Sequence, residues 1–331
     1  MTNSISNGRP GEFELIRNFF APLSGNIAGA FGLTDDVAVL TAPEGHDIVV
    51  KTDAIVEGVH FHRSDPPGTI AKKALRVNIS DFAAKGARPG AWLLALALPD
   101  WPDTSWFERF VRGLAEDQEV FAVALAGGDT VRTSGMLTIV VTMTGFVPDG
   151  AVIRRAGAAA GDIVYVTGTI GDAGGGFDLI QASARRHTAW QEELISRYLI
   201  PRPRLAFGQA LRGLASAALD VSDGLIADLG HLADVSRVRV EIAAESIPLS
   251  PALRQLYGDD LASIMRAATA GDDYEIAFTA PPAKSSAIAK AALQTKTDVT
   301  AVGRVVAGAG AVMLDAQGRE VTFIHKGYTH F

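Results

Sequence analysis

Cysteine is absent from this 331-residue chain, and its absence removes several classes of function at once. Without thiols the chain can form no disulfide, no zinc–thiolate or iron–sulfur site and no cysteine nucleophile. The Walker sequence G-x-x-x-x-G-K-[ST] is also missing, as is the G-x-S-x-G of serine esterases. Any phosphate chemistry therefore has to use carboxylate-bound metal rather than a lysine-bearing phosphate loop.

Basic clusters and long apolar runs are scarce as well. The formal net charge is -7, and Lys and Arg form no patch that could neutralise a nucleic acid. No stretch reaches transmembrane length without a charge or turn signal, and the first eleven residues are too polar for a signal peptide. We therefore expect a cytoplasmic protein that binds neither nucleic acid nor membrane.

Short apolar runs alternate with helical patterns along the first half of the chain. The patterns predict strands at 37–40, 47–52, 92–98, 120–126 and 137–147, and helices at 69–85 and 104–119. A turn cluster at Pro148-Asp149-Gly150 predicts a boundary between a domain at 1–149 and a domain at 150–331. The second segment also mixes helices and strands, so the predicted fold class is a two-domain α/β or α+β protein.

Aspartates recur near the ends of apolar runs, each within two residues of a Gly, Ser or Thr. The positions are Asp36, Asp53, Asp81, Asp129, Asp220, Asp223 and Asp272. Taken singly, most are explained as turn or cap residues, and Asp81 as part of a solvated helix face, whereas Asp220 has no such explanation. Ser222 fits the N-cap of a helix at 223–235. Taken together, these hard oxygen ligands favour a site where several Mg²⁺ ions hold a polyphosphate.

Other polar groups leave two readings open. The segment 168–176 is rich in glycine, follows a strand and opens a helix, so it could cradle a phosphate or allow close strand–helix packing. His60 and His62 are expected on one face of a strand, and without a third ligand nearby a surface or substrate contact is favoured over zinc. Arg154 and Arg155 suit bidentate phosphate contact or lie exposed in a linker.

The order of these motifs resembles the thiamine-monophosphate kinase family from end to end. The motifs are Gly11-Glu12-Phe13, Asp35-Asp36, Thr52-Asp53 with His60-Phe61, Asn78-Ile79-Ser80-Asp81, Gly127-Gly128-Asp129-Thr130, Arg155-Ala156-Gly157, Tyr165-Val166-Thr167-Gly168-Thr169, Asp220-Val221-Ser222-Asp223-Gly224-Leu225, Asp273-Tyr274-Glu275 and Lys326-Gly327-Tyr328-Thr329-His330-Phe331. The resemblance implies a fold shared with aminoimidazole ribonucleotide synthetase, and a homodimer that pairs through the sheets of its N-terminal domains.

The resemblance also implies an activity: ATP-dependent phosphorylation of thiamine monophosphate to thiamine diphosphate, with several Mg²⁺ ions in the cleft between the domains. K⁺ is a further candidate cofactor, and no general base is expected. By position, the implied metal-site residues are Asp36, Thr52, Asp53, Asp81, Asp129, Asp220 and Asp223. The implied ATP contacts are Gly128, Asp129, Arg155 and Ser222, and the implied substrate contacts are His60, Asp272 and His325.

Three positions depart from the family pattern. Lys51 stands where a small hydroxyl residue is usual, Asp272 where Glu is usual, and His325 where an aromatic residue is usual. A lysine cannot ligate Mg²⁺, but its ammonium could replace the charge of one ion or point away from the site. The departures keep a catalytically silent nucleotide-binding protein as one alternative, and another ATP-dependent synthetase of the superfamily as a second. The missing cysteines count against selenophosphate synthetase and the hydrogenase maturation protein.

Overall fold

The chain divides into two compact units. The first unit contains Met1–Asn78 and Arg88–Asp149, and the second contains Ile79–Ala87 and Gly150–Phe331. The computed structural model describes residues 11–25, 27–182 and 188–328. The last three residues of the tail motif, 329–331, lie outside the described residues. The sequence also predicts a helix around 178–185, and the end of that range lies outside them too.

A four-stranded mixed sheet is the centre of the first unit. Its strands are β1 (His46–Val56), β2 (Arg88–Leu98), β3 (Ala124–Arg132) and β4 (Thr138–Pro148), in the order β1-β4-β2-β3. The β2–β3 pair is parallel and the other two pairs are antiparallel. The helices that begin in this part of the chain are α1 (Glu12–Leu15), α2 (Pro67–Ala84) and α3 (Thr104–Phe121), with a π-helical turn at Ile16–Phe20 and 3₁₀ turns at Ala21–Ser24 and Ala28–Leu33.

One face of this sheet is buried and the other is open, as the alternation along β4 predicts. Trp92 of β2 is buried, and its indole N–H donates to the side-chain carbonyl of Gln118 on α3 at 3.0 Å. A bidentate pair joins α2 to α3: the Arg76 guanidinium contacts Asp117 at 2.6 and 2.7 Å. The two helices and the sheet therefore share one core.

The strands of the first unit differ from the prediction in several places. Residues 37–40 form no strand, although the amide of Val39 donates to the carbonyl of Gly29. Helix α3 continues to Phe121 and ends at Ala122, whose φ of 52° is left-handed, so β3 begins only at Ala124. Asp129 therefore lies inside β3, not beyond its end, and Asp53 likewise lies inside β1.

The second unit has a six-stranded sheet in the order β10-β7-β9-β5-β8-β6. Its strands are β5 (Ile163–Thr167), β6 (Ala217–Asp220), β7 (Arg239–Ala243), β8 (Ile276–Ala280), β9 (Val299–Val306) and β10 (Gly310–Leu314). The helices are α4 (Asp172–Gln181), α5 (Ala189–Leu199), α6 (Leu205–Ala210), α7 (Leu225–Ser236), α8 (Pro251–Tyr257), α9 (Leu261–Thr269) and α10 (Ser285–Thr295), with 3₁₀ turns at Ala244–Ser246 and Pro282–Lys284. Among the described neighbouring strands of this second sheet, only β7 and β10 run parallel.

Helices cover both faces of the second sheet. Val164 and Val166 of β5 pack in one core with Leu225 of α7, whereas Tyr165 between them packs in a second core with Phe207 of α6. Successive side chains of a strand point to opposite faces, so a strand covered on both sides reads as an unbroken apolar run. No described helix has the length and apolar character needed to span a membrane.

Candidate functional site

The predicted site residues of the first unit lie at the edges of its sheet. Asp36 is exposed in the segment before β1, Thr52 and Asp53 lie on edge strand β1, and exposed Gly128 and Asp129 lie on the opposite edge strand, β3. Three strand spacings amount to about 14 Å. Within this unit, therefore, the structure does not bring Asp53 and Asp129 together.

Lys51 points toward its predicted neighbour rather than away from it. Its ammonium lies 3.1 Å from the Asp53 carboxylate, and both side chains are about one-third exposed. Thr52 points to the other face, where its hydroxyl lies 2.9 Å from that of Thr142. The Lys51 ammonium therefore forms an ion pair with Asp53, one of the predicted metal ligands.

His60 lies in a turn after β1, so the prediction of a strand with two imidazoles on one face is wrong. The amide of His60 donates to the carbonyl of Val56, and the amide of Gly58 donates to the carbonyl of Phe61. In return, the amide of Val56 donates to Nδ1 of His60 at 3.1 Å. His60 therefore lies outside β1, in the turn that follows it.

Two predicted carboxylates meet in the second unit. Asp81, in the last turn of α2, interacts electrostatically with Asp220 at the end of β6. Burial and then the charge of Asp81 raise the pKa of Asp220 to about 8, against the opposing effects of the Ser80 hydroxyl and Lys85. The Lys85 ammonium donates to the carbonyl of Ala218 at 2.7 Å. The two carboxylates therefore lie close enough for one to disfavour ionisation of the other.

The turn after β6 is held by Asp228, which the sequence analysis missed. Its carboxylate accepts the amides of Ser222 (3.0 Å), Asp223 (3.0 Å) and Gly224 (3.2 Å). Helix α7 begins at Leu225 after Gly224, so Ser222 is not its N-cap. Burial, followed by the charge of Asp223, raises the pKa of Asp228 to about 7. The sequence feature that could have identified Asp228 is its place as an acidic residue in the first turn of α7.

Two more predicted segments join this turn. The amide of Asp272 donates to the carbonyl of Ser222 at 2.8 Å. The amide of Tyr328, in the C-terminal tail, donates to the carbonyl of Asp223 at 2.9 Å. Asp272 has a left-handed φ of 68°, and its carboxylate accepts the hydroxyl of Tyr274. Strained backbone of this kind persists where neighbouring contacts impose it. Exposed His325 precedes the docked end of the tail.

The glycine-rich segment packs against protein rather than cradling a phosphate. The amides of Gly171 and Ala173 at the start of α4 donate to the buried carboxylate of Asp273, at 2.6 and 3.2 Å. Burial raises the pKa of Asp273 well above its usual value, although these two hydrogen bonds oppose the rise. A Cβ on Gly176 would lie 2.1 Å from the carbonyl oxygen of Leu194. Close helix packing explains these glycines.

The donor chemistry fits a divalent cation, although no complete site is assembled. Within the described ranges, no group of three or more His, Asp and Glu side chains is arranged to hold a metal ion. The Asp81–Asp220 pair nevertheless has the hard oxygens that Mg²⁺ prefers, and each carboxylate disfavours ionisation of the other, which a bound divalent cation would relieve. Arg155, a predicted ATP contact, is exposed in the segment before β5.

Comparison with known proteins places this geometry in a family. Residues 34–147 match the family model "AIR synthase related protein, N-terminal domain", and residues 159–315 match the corresponding C-terminal domain. The chain is 39% identical over 324 residues to the thiamine-monophosphate kinase of Salmonella typhimurium, covering 97% of this chain and 98% of that protein.

Solved structures agree with the sequence comparison. The crystal structure of thiamine-monophosphate kinase from Stenotrophomonas maltophilia is 39% identical with a TM-score of 0.80, covering 87% of this chain and 91% of that one. The structure of AaThiL complexed with AMPPCP and TMP is 33% identical with a TM-score of 0.78, covering 97% of each chain.

These matches define first a class and then a family. The fold is that of the AIR synthase related proteins, in which two mixed α and β domains follow each other along the chain. Within that class the chain belongs to the thiamine-monophosphate kinase family, and it is an enzyme of the kinase type. The family resemblance and the fold class inferred from the order of motifs are both confirmed.

Proposed function

We propose that the protein transfers the γ-phosphoryl group of ATP to the phosphate of thiamine monophosphate, giving thiamine diphosphate and ADP. The observation that carries the proposal is near-full-length similarity to thiamine-monophosphate kinases, one of them in complex with AMPPCP and TMP. The carboxylates that this activity needs are present at every position implied by the motif order. ATP is the donor and the acceptor is a phosphate monoester.

Magnesium is the proposed cofactor, and K⁺ remains a candidate. The proposed ligands are Asp36, Thr52, Asp53, Asp81, Asp129, Asp220 and Asp223. The proximity of the Asp81 and Asp220 carboxylates supports this assignment for two of them. When bound, the ions would screen the repulsion between two phosphate groups, which amounts to about 4 kcal/mol for each pair of unit charges 4 Å apart at a dielectric of 20.

The remaining proposed roles belong to binding rather than to proton transfer. Gly128, Arg155 and Ser222 are the proposed ATP contacts, and His60, Asp272 and His325 the proposed substrate contacts. The acceptor phosphate has a second pKa of about 6, so its oxygen is already ionised near neutral pH and needs no general base. In direct in-line transfer, that oxygen forms a bond to the γ-phosphorus while the bond to the β-phosphate oxygen breaks. A kinetically competent phosphoenzyme would contradict this step.

A homodimer that pairs through the sheet of the first unit is part of the proposal. The open face of that sheet exposes Ile48 and Val50 on β1 and Leu93 on β2, each more than 40% exposed. The register places these residues on one face, because Thr52 aligns with Thr142 and Thr142 with Leu93. Exposed apolar side chains on one open sheet face favour association with a second protein surface.

One experiment tests the activity and the site together. Purified protein is given ATP, Mg²⁺ and thiamine monophosphate, and thiamine diphosphate and ADP are followed in parallel. We expect equimolar products from the wild type and a loss of at least 100-fold in the rate for Asp129→Asn. Asp129 is exposed, and among the described residues its side chain accepts one hydrogen bond, from the amide of Thr130, which Asn can also accept, so the variant should fold normally.

Two outcomes would overturn parts of this proposal. A wild-type protein that binds ATP but forms no thiamine diphosphate would favour the catalytically silent alternative, which the departures at Lys51, Asp272 and His325 keep open. Wild-type turnover by Asp129→Asn would remove Asp129 from the metal site while leaving the activity itself intact.

A further inference from the structure

A buried lysine holds the turn that carries His60. Lys73 lies on α2 with only 2% of its surface exposed, and its ammonium donates to the backbone carbonyl of His60 at 2.9 Å. Placing an ammonium in a protein interior costs free energy unless polar groups and opposite charge receive it. Asp65, which is also buried, supplies part of that charge, since Lys73 helps to lower a pKa that burial raises. The fold therefore keeps a costly charged group at the base of this turn.

The orientation of the His60 ring is fixed from the other side. The backbone amide of Val56 donates to Nδ1 of His60, so that nitrogen must carry a lone pair and not a proton. The neutral ring therefore has its proton on Nε2 and presents an N–H donor. Further backbone bonds, from His60 to Val56 and from Gly58 to Phe61, close the turn. Backbone and ring are thus both held before any ligand arrives.

We propose that Lys73 is a positioning residue, which holds the His60 turn so that Nε2–H donates a hydrogen bond to an acceptor atom of the phosphate-ester substrate. The inference rests on the proposed function. It adds to that function the residue that positions His60 and the direction of the hydrogen bond, in which His60 is the donor. A preformed donor avoids the entropy of ordering an exposed turn during binding, so its benefit lies in substrate affinity. Handling of ATP should not depend on it.

The chain offers a matched control on the same helix. Lys72 is the neighbour of Lys73, but its ammonium pairs with Glu116 at the surface, at 2.6 Å. Lys73→Met should raise the KM for thiamine monophosphate at least tenfold, while the KM for ATP stays within twofold and kcat changes little. Lys72→Met should leave all three constants within twofold. An unchanged KM for thiamine monophosphate, or equal increases in both KM values, would overturn the role of Lys73.

A second measurement does not need the Lys73 variant to fold. Nitrogen-15 NMR of the wild-type imidazoles should show His60 as the Nε2–H tautomer, and an Nδ1–H or averaged tautomer would overturn the proposed donor. Calorimetry with thiamine monophosphate should show that His60→Gln, whose amide reaches the place of Nε2, binds at least fivefold more tightly than His60→Asn. Equal affinities of these two variants would also overturn the donor.

The proposed function and this inference fail in different ways. A wild-type protein without thiamine monophosphate kinase activity would overturn the proposed function. An active wild type whose Lys73→Met variant keeps the wild-type KM for thiamine monophosphate would overturn only the positioning role. The tautomer measurement gives its answer in either case.

Discussion

Glu275 shows how a single buried residue joins distant parts of the second unit. Its fully buried carboxylate accepts hydrogen bonds from Arg197 at 2.7 Å, from Arg204 at 2.6 and 2.5 Å, and from the Thr167 hydroxyl at 2.6 Å. Burial alone would raise the pKa of Glu275, but the hydrogen bond and charge of Arg204, the charge of Arg197 and the Thr167 hydroxyl lower it below its ordinary value of 4.5. Glu275, the last residue of the Asp273-Tyr274-Glu275 motif, therefore has a structural role.

We expect Glu275→Gln to destabilise the protein by about 3–5 kcal/mol at pH 7, because it removes the buried negative charge that Arg197 and Arg204 share. The folded-state pKa of Glu275 is lowered, so its ionised form stabilises the fold above pH 4.5 and this stabilisation is lost as the pH falls through the folded value. Urea unfolding at pH 7 and pH 4 should therefore show a smaller difference between variant and wild type at the lower pH.

The control for this prediction is Glu320→Gln. Glu320 pairs with Arg239 at 2.5 Å, but its side chain is more than half exposed, and surface pairs contribute little. Its unfolding curve should stay close to that of the wild type. Equal effects of the two substitutions would mean that burial does not decide the role of Glu275.

At the scale of elements, α4 is held close to α5 by glycine. Gly176 on α4 faces the carbonyl of Leu194, and Gly174 and Gly175 face Ala270 and Leu253 at similarly short range. Asp273 caps the same helix through the amides of Gly171 and Ala173. The glycine-rich segment therefore allows a close helix contact and leaves the helix N-terminus bonded to protein.

A pair of Gly→Ala substitutions tests this packing. Gly176→Ala should destabilise the protein by about 1–3 kcal/mol, because the new Cβ would lie 2.1 Å from the Leu194 oxygen. Gly230→Ala on α7 meets nothing within 4 Å and should stabilise by up to about 1 kcal/mol through helix propensity. Thermal and urea unfolding measure both. A neutral Gly176→Ala would show that α4 and α5 separate without cost.

At the scale of the whole molecule, the open sheet face is the surface through which we propose that the protein assembles. Val50 on edge strand β1 is 64% exposed and stands on the same face as Ile48 and Leu93. In the proposed homodimer this face is covered by a second copy of the chain. The exposed carboxylates at both edges of the same sheet would then depend on the assembly for part of their surroundings.

Val50→Lys should convert a dimer into a monomer, because a charged side chain would have to be buried in the interface. Sedimentation velocity at several protein concentrations measures the change, and circular dichroism should show an unchanged fold. Leu293→Lys is the matched control, since Leu293 is 81% exposed on α10 in the second unit. A Val50→Lys variant that sediments like the wild type would place the interface elsewhere.

The sequence by itself determined the family, the fold class and most of the helices and strands. The order of motifs is a property of the sequence itself, and periodicity reports local amphipathic character. Both can therefore be read without knowing which distant residues are in contact. It also identified the residues of the 220–223 turn and of the 271–274 segment as candidates, although the pairing of these segments could not be read from it.

The tertiary structure decided whatever depends on residues far apart in the chain. The limits of β1 and β3 follow from pairing, which carried Asp53 and Asp129 into the strands and onto opposite edges of a sheet. Asp273 became the cap of α4 across about a hundred residues of chain, and Lys73 reached the carbonyl of His60. Such hydrogen bonds have no local sequence period, because they depend on where the packed core brings a buried donor and acceptor together.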